Sequence, residues 1–208
     1  MKFQVSFDLT DLDKALDVAH KIEKYVDIFE IGTIMLFKYG IEAINAFNKA
    51  FPEKTLLADT KIIDRGKDIT NLITSTAITW ITVMAGTNKD VIHSATTTAH
   101  NHKSKVMLDL LDTESIGQSA MDAKNQGIDA LLFHKSHDAN SSLEFLDHWD
   151  MVRGNTDLPI FVSATITRET IDQILELKPD GIIIGKSITD ADNPAVEAEF
   201  YYNKIFQK

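Results

Sequence analysis

Short apolar runs rich in β-branched and aromatic residues recur along the chain, and most are followed by a stretch whose apolar positions repeat every three to four residues. The first pattern predicts buried strands and the second amphipathic helices. Phe3 to Phe7 alternates as a strand and ends in Asp8. Thr10 then offers a helix N-cap before Leu12, Ala15, Leu16, Ala19 and Ile22. Tyr25 to Phe29 predicts a second strand ending in Glu30, with a helical segment to about Ala50 and Pro52 as punctuation. Thr55 to Ala58 predicts a third strand with Asp59 at its end, followed by a threonine-rich helix from Asp68 to about Thr76.

The alternation continues. Strands are predicted at Thr79–Met84, Lys105–Leu108, Ala130–Phe133, Pro159–Val162 and Gly181–Ile184. Helical spacing occupies Lys89–His100, Glu114–Gln126, a segment through Leu143, Phe145 and Trp149, Arg168–Leu177, and a final helix opened by Pro194. Eight strands alternating with helices over 208 residues give about 26 residues per unit. Alternating βα units imply a parallel sheet, and eight imply a closed (β/α)8 TIM barrel. An open doubly wound sheet is the competing architecture, but no Gly-rich dinucleotide turn follows the first strand. A single barrel domain spanning 1–208 is the expectation.

Composition narrows the function classes. Apolar residues make up 44% and charged residues 25%, ordinary for a globular protein. The formal net charge of −10 argues against non-specific binding to nucleic acid or anionic membranes, though a basic site for a phosphorylated small molecule remains compatible. There are no cysteines, which removes disulfides, thiolate metal sites and a cysteine nucleophile. With no spanning apolar stretch and a strand-like start at Met1, a cytoplasmic location and no membrane partner are expected.

Charged residues stand where the strands end: Asp8, Glu30, Asp59 with Lys61 and Asp64, Asp109, His134 and Lys186. In a barrel of this type these positions converge on the rim that carries catalysis. Glu30 and Asp59, on adjacent strands, suit a hard divalent cation such as Mg²⁺; alternatively Lys61 alone holds the two carboxylates. Lys61 beside Asp59 and Asp64 is expected to stay protonated and to serve an oxyanion rather than act as a base. His134 is the natural proton-transfer residue. His93, His100, His102 and His148 are expected on the surface. Gly185-Lys186-Ser187 follows the eighth strand, where this fold usually cradles phosphate.

Asp59-x-Lys61-x-x-Asp64 resembles the D-x-K-x-x-D signature of the orotidine-monophosphate decarboxylase suprafamily. Within it the chain is similar to the branch of 3-keto-L-gulonate-6-phosphate decarboxylase and 3-hexulose-6-phosphate synthase. Val26 to Met35, Leu57 to Lys67 and Trp80 to Val83 resemble that branch's second-, third- and fourth-strand motifs. Phe133 to Ala139 resembles the decarboxylase's H-R-S-R-D-A, and Gly185 to Ile188 its G-R-S-I.

The resemblance implies an Mg²⁺-dependent carbon–carbon lyase acting on a phosphorylated keto-sugar through an enediolate. Glu30 and Asp59 would bind the metal, Lys61 would stabilise the intermediate and His134 would deliver a proton. Asp8 and Asp109 would position hydroxyls, and Gly185 with Lys186 would hold the phosphate. A homodimer is implied in which Asp64 reaches the partner's active site. Ala164-Thr165 replaces the family's paired glycines after the seventh strand, His137 stands where the decarboxylase has arginine, and Asp109 looks more like the synthase. His137 and Thr165 are thus candidate substrate contacts. Decarboxylation of 3-keto-L-gulonate 6-phosphate is the leading expectation. Aldol addition of formaldehyde to ribulose 5-phosphate is the first alternative, and a phosphosugar-binding barrel with weak or lost catalysis the second.

Overall fold

The computed structural model describes residues 1–136, 138 and 144–206. Its eight strands are β1 Lys2–Phe7, β2 Ile28–Ile31, β3 Thr55–Ile62, β4 Trp80–Met84, β5 Lys105–Asp109, β6 Ala130–His134, β7 Ile160–Ser163 and β8 Gly181–Ile184. All pair in parallel with their sequence neighbours, and β1 pairs with β8 to close the barrel. The helices are α1 Leu12–Ile22, α2 Thr33–Tyr39, α3 Ile41–Ala50, α4 Gly66–Thr74, α5 Lys89–Asn101, α6 Ile116–Ala123, α7 Trp149–Arg153, α8 Ile171–Glu176, α9 Lys186–Thr189 and α10 Pro194–Phe206.

Strand residues divide by parity into two apolar clusters, because successive side chains point to opposite faces. Ile28, Leu57, Met107, Leu132, Phe161 and Ile183 fill the barrel interior. Their neighbours, among them Phe29, Leu56, Leu131, Val162 and Ile182, face the helices and join the larger cluster. Phe7 meets Phe29 edge-to-face at 5.5 Å and Phe47 of α3 at 5.2 Å, which seats α3 on β1 and β2. Such aromatic pairs are worth about 1 kcal/mol beyond their buried area.

Several boundaries depart from the sequence pattern. Asp11, not Thr10, caps α1, its carboxylate accepting from Lys14 N. β2 begins at Ile28; the β-rich Tyr25 instead ends a 3-10 turn, Glu23–Tyr25, and its ring packs on Tyr202 of α10 at 5.8 Å. The helix expected up to Ala50 is two helices, broken where Gly40 takes φ +59°, a conformation costly for other residues. β3 continues through Asp59 and Lys61 to Ile62 rather than stopping at Ala58. Part of the expected 143–149 helix, and His137, lie outside the described residues; Glu144–His148 is a 3-10 segment leading into α7. Among the described residues, no helix is long and apolar enough to cross a membrane.

Candidate active site

At the C-terminal end of the barrel the interior turns from apolar to polar. Leu57 is followed two residues on by Asp59, Met107 by Asp109 and Leu132 by His134, so each functional side chain inherits the inward parity of its strand. Asp109 is fully buried, Glu30 and Asp59 nearly so. Lys61 Nζ lies 2.9 Å from Asp109 Oδ2 and 3.1 Å from Asp59 Oδ2. His134 Nδ1 lies 3.1 Å from the same Asp109 oxygen. Asp109 Oδ1 accepts from Leu111 N at 2.9 Å. Burial works against charge on Asp109, but the hydrogen bond and charge of His134, with those of Lys61, outweigh it and hold the carboxyl below its ordinary value. Burial likewise opposes the Lys61 ammonium, and the Asp59 and Asp109 carboxylates outweigh it, raising its pKa. Lys61 is therefore a fixed cation at any physiological pH, as expected, though its second carboxylate is Asp109 rather than Asp64.

Glu30 occupies the opposite electrostatic situation. Gln4 Nε2 donates to its Oε2 at 2.5 Å, and Ser6 Oγ lies 3.0 Å from Oε1. Burial first, then the neighbouring carboxylates of Asp59 and Asp8, push its pKa to about 8. The same Ser6 Oγ lies 2.9 Å from Asp8 Oδ2. A hydroxyl has one proton to give, so it cannot donate to both carboxylates at once. Three acids converging with a deficit of positive charge are the donor chemistry a hard cation takes, and the two carboxylates of Glu30 and Asp59 fit Mg²⁺, which usually keeps several waters. Among the described residues no group of three or more acids and histidines has metal-holding geometry, so the protein would supply only part of such a shell.

Asp8 packs against Gly32 so tightly that a Cβ there would lie 2.2 Å from Asp8 Oδ1. Gly185 follows β8 beside Ser6, and Lys186 opens α9 on the exposed rim. Ser187 Oγ donates to Ile166 O at 2.5 Å and ties the β8 loop to the loop after β7, where Thr165 is exposed. Asp64 sits apart, on the exposed bend after β3, accepting from Arg65 N at 2.7 Å. Lys61, Asp59, Asp109 and His134 are thus one connected cluster and Glu30 with Asp8 an adjoining one.

Gln4, Ser6, Thr33 and Thr82 escaped the sequence reading. Thr33 Oγ1 donates to Asp59 Oδ2 at 2.7 Å, and Thr82 Oγ1 to Asp59 Oδ1 at 2.8 Å. For Gln4, Ser6 and Thr82 the signal was polarity at inward-facing positions of otherwise apolar strands, readable once parity is known; Thr33 opens α2 and lacks that signal.

A closed parallel barrel with acids, an ammonium and an imidazole gathered at its C-terminal rim defines a barrel enzyme. The chain belongs to the Orotidine 5'-phosphate decarboxylase / HUMPS family, whose model matches residues 1–201. It is accordingly a carbon–carbon lyase. It is 27% identical over 209 residues to the 3-hexulose-6-phosphate synthase of Bacillus subtilis, covering 100% of both chains. The crystal structure of 3-hexulose-6-phosphate synthase from Salmonella typhimurium superposes with a TM-score of 0.93 at 28% identity, over 100% of this chain and 99% of that one. KGPDC from Streptococcus mutans has a TM-score of 0.86 at 22% identity over 98% of this chain and 96% of its own, a likeness of fold.

Proposed function

We propose that the protein is a 3-hexulose-6-phosphate synthase, joining C1 of ribulose 5-phosphate to formaldehyde. The observation that carries this reading is the single Asp109 oxygen shared by the Lys61 ammonium and the His134 imidazole. End-to-end similarity to proteins named as synthases supports it over decarboxylation, the expectation that led in the sequence, as does the aspartate rather than glutamate at the end of β5.

With Nδ1 turned to Asp109, His134 presents Nε2 as its proton-transferring atom. It takes a proton from C1 of ribulose 5-phosphate, and the electron pair moves to the C2 oxygen as an enediolate. Lys61 meets the negative charge as a preorganised cation. C1 then forms a bond to the formaldehyde carbon, the carbonyl pair moves to the formaldehyde oxygen, and that oxygen takes back the proton from His134. Held by Glu30 and Asp59, Mg²⁺ would supply further positive charge beside adjacent oxygens. Asp8 positions a substrate hydroxyl, and Gly185, Lys186 and Thr165 receive the phosphate.

Exposed apolar residues Ile34, Phe37 and Ile63 stand on the segments just past β2 and β3, with Phe37 86% exposed. They support a homodimer, and the outlying Asp64 on the same β3 loop is then available to a partner's site. A second reading, a phosphosugar-binding barrel without turnover, is favoured by Ala164-Thr165 after β7, since side chains there limit close backbone approach to phosphate.

Incubation with ¹³C-formaldehyde, ribulose 5-phosphate and Mg²⁺, read by NMR, tests the proposal. Label in a new hexulose phosphate is expected. Release of CO2 from 3-keto-L-gulonate 6-phosphate without aldol product would restore the decarboxylase, and tight ribulose 5-phosphate binding without either reaction would favour the binding protein.

A further inference from the structure

β3 and β4 fall out of step where the D-x-K motif lies. Ala58 pairs with Ile81, and the next pair is Ile62 with Val83. Asp59, Thr60 and Lys61 therefore stand against Thr82 alone, and the β3–β4 ladder is interrupted there. Lys61 takes φ +43°, a left-handed conformation that a non-glycine residue adopts only when its surroundings enforce it.

Three hydrogen bonds involving Thr82 close this bulge from the β4 side. Its carbonyl accepts from Thr60 Oγ1 at 2.7 Å. Its hydroxyl lies 2.9 Å from Lys61 N and 2.8 Å from Asp59 Oδ1. A backbone N–H only donates, so Thr82 Oγ1 accepts from Lys61, and its own proton is left for Asp59. Thr82 is only 1% exposed, so both bonds lie away from the surface. One atom thereby fixes both the strained backbone that aims Lys61 inward and the carboxylate that meets Lys61 Nζ.

We propose that Thr82 is a positioning residue for the lyase reaction, setting where the Lys61 ammonium stands between Asp59 and Asp109. The inference rests on the proposed role of Lys61 as the cation facing the developing oxyanion. It also accounts for a polar residue in the middle of a buried strand. Valine at this position would keep the shape and lose both bonds; serine would keep the bonds and lose a methyl.

The test compares T82V and T82S in crystal structures and in steady-state turnover. In T82V we expect Lys61 to leave its left-handed conformation and its contact with Asp109, with kcat down roughly 10- to 100-fold and KM changed by less than about threefold. T82S is expected to retain the wild-type geometry and most of the wild-type kcat. A role confined to packing would lower the melting temperature of both variants without separating kcat from KM. Lys61 unmoved in T82V, or full kcat, overturns the proposal. Should T82V not fold, T82A is read by the same criteria. If the wild-type chain turns over no substrate, the proposed reaction fails, and the Lys61 geometry in the variant structures still decides whether Thr82 positions it.

Discussion

Asp109 Oδ2 lies 3.1 Å from His134 Nδ1, at the fully buried end of β5. In the proposed reaction that contact selects which imidazole nitrogen faces substrate, and the same oxygen holds Lys61. D109N keeps the shape but removes the charge that the Lys61 ammonium and the His134 imidazole share. We expect kcat to fall by about 100-fold or more, with a loss of about 1–3 kcal/mol in stability, since Lys61 keeps Asp59 as its remaining partner. Turnover and chemical denaturation measure the two effects. Exchange of the C1 proton of ribulose 5-phosphate in D2O, without formaldehyde, isolates the first step; H134A should abolish it. Exchange at the wild-type rate in H134A would remove the histidine from that step.

The strand ends were legible in the sequence because a buried apolar run that stops at an acid or an imidazole delivers that group to the mouth of a parallel barrel. Asp59, Asp109 and His134 were found that way, and the structure brings them together through Lys61. Gln4, Ser6 and Thr82 were not, since a polar residue inside a strand has no assigned face until the barrel closes and fixes parity. The start of β2 was misplaced for a related reason: Tyr25 has strand propensity, but its packing on Tyr202 in α10 is a long-range contact that local pattern does not contain. Asp64 stands apart because β3 runs on to Ile62 and Asp64 falls on the exposed bend beyond it, which spacing along the chain does not reveal.

Gly32 owes its place to Asp8. A methyl group there would meet Asp8 Oδ1 at 2.2 Å, so G32A must push the carboxylate out of its position beside Ser6. Overpacking of this kind costs about 1–3 kcal/mol. The expected result is a lowered melting temperature together with a raised KM for the sugar phosphate, because Asp8 is the proposed hydroxyl contact. An unchanged KM would separate Asp8 from substrate binding.

Glu30 gives the cation-free protein an inverted pH response. Its folded pKa, about 8, exceeds the ordinary 4.5, so the native state holds a proton that the unfolded chain has lost between those values. The stability from Glu30 is fully present below the unfolded value and falls as pH rises toward about 8, at up to about 1.4 kcal/mol per pH unit. Urea denaturation in EDTA should show this decline, and E30Q should flatten it. Mg²⁺, by binding the ionised form, should restore stability most strongly at the alkaline end. A decline in E30Q equal to that of the wild type would assign the effect to another group.

If two chains share each site, Lys61 and Asp64 act in it from opposite subunits. K61A and D64N should each be inactive alone, for different reasons. Mixed and allowed to exchange subunits, half of the dimers become heterodimers, each with one site lacking both residues and one site intact. Activity should recover to about a quarter of wild type, as two-fold symmetry requires. Exposed Phe37 supplies the control: F37D places a charge on the apolar surface of α2, and should shift sedimentation to monomer and prevent the recovery. Failure of the mixture to recover while both variants sediment as dimers would place Asp64 outside the partner's site.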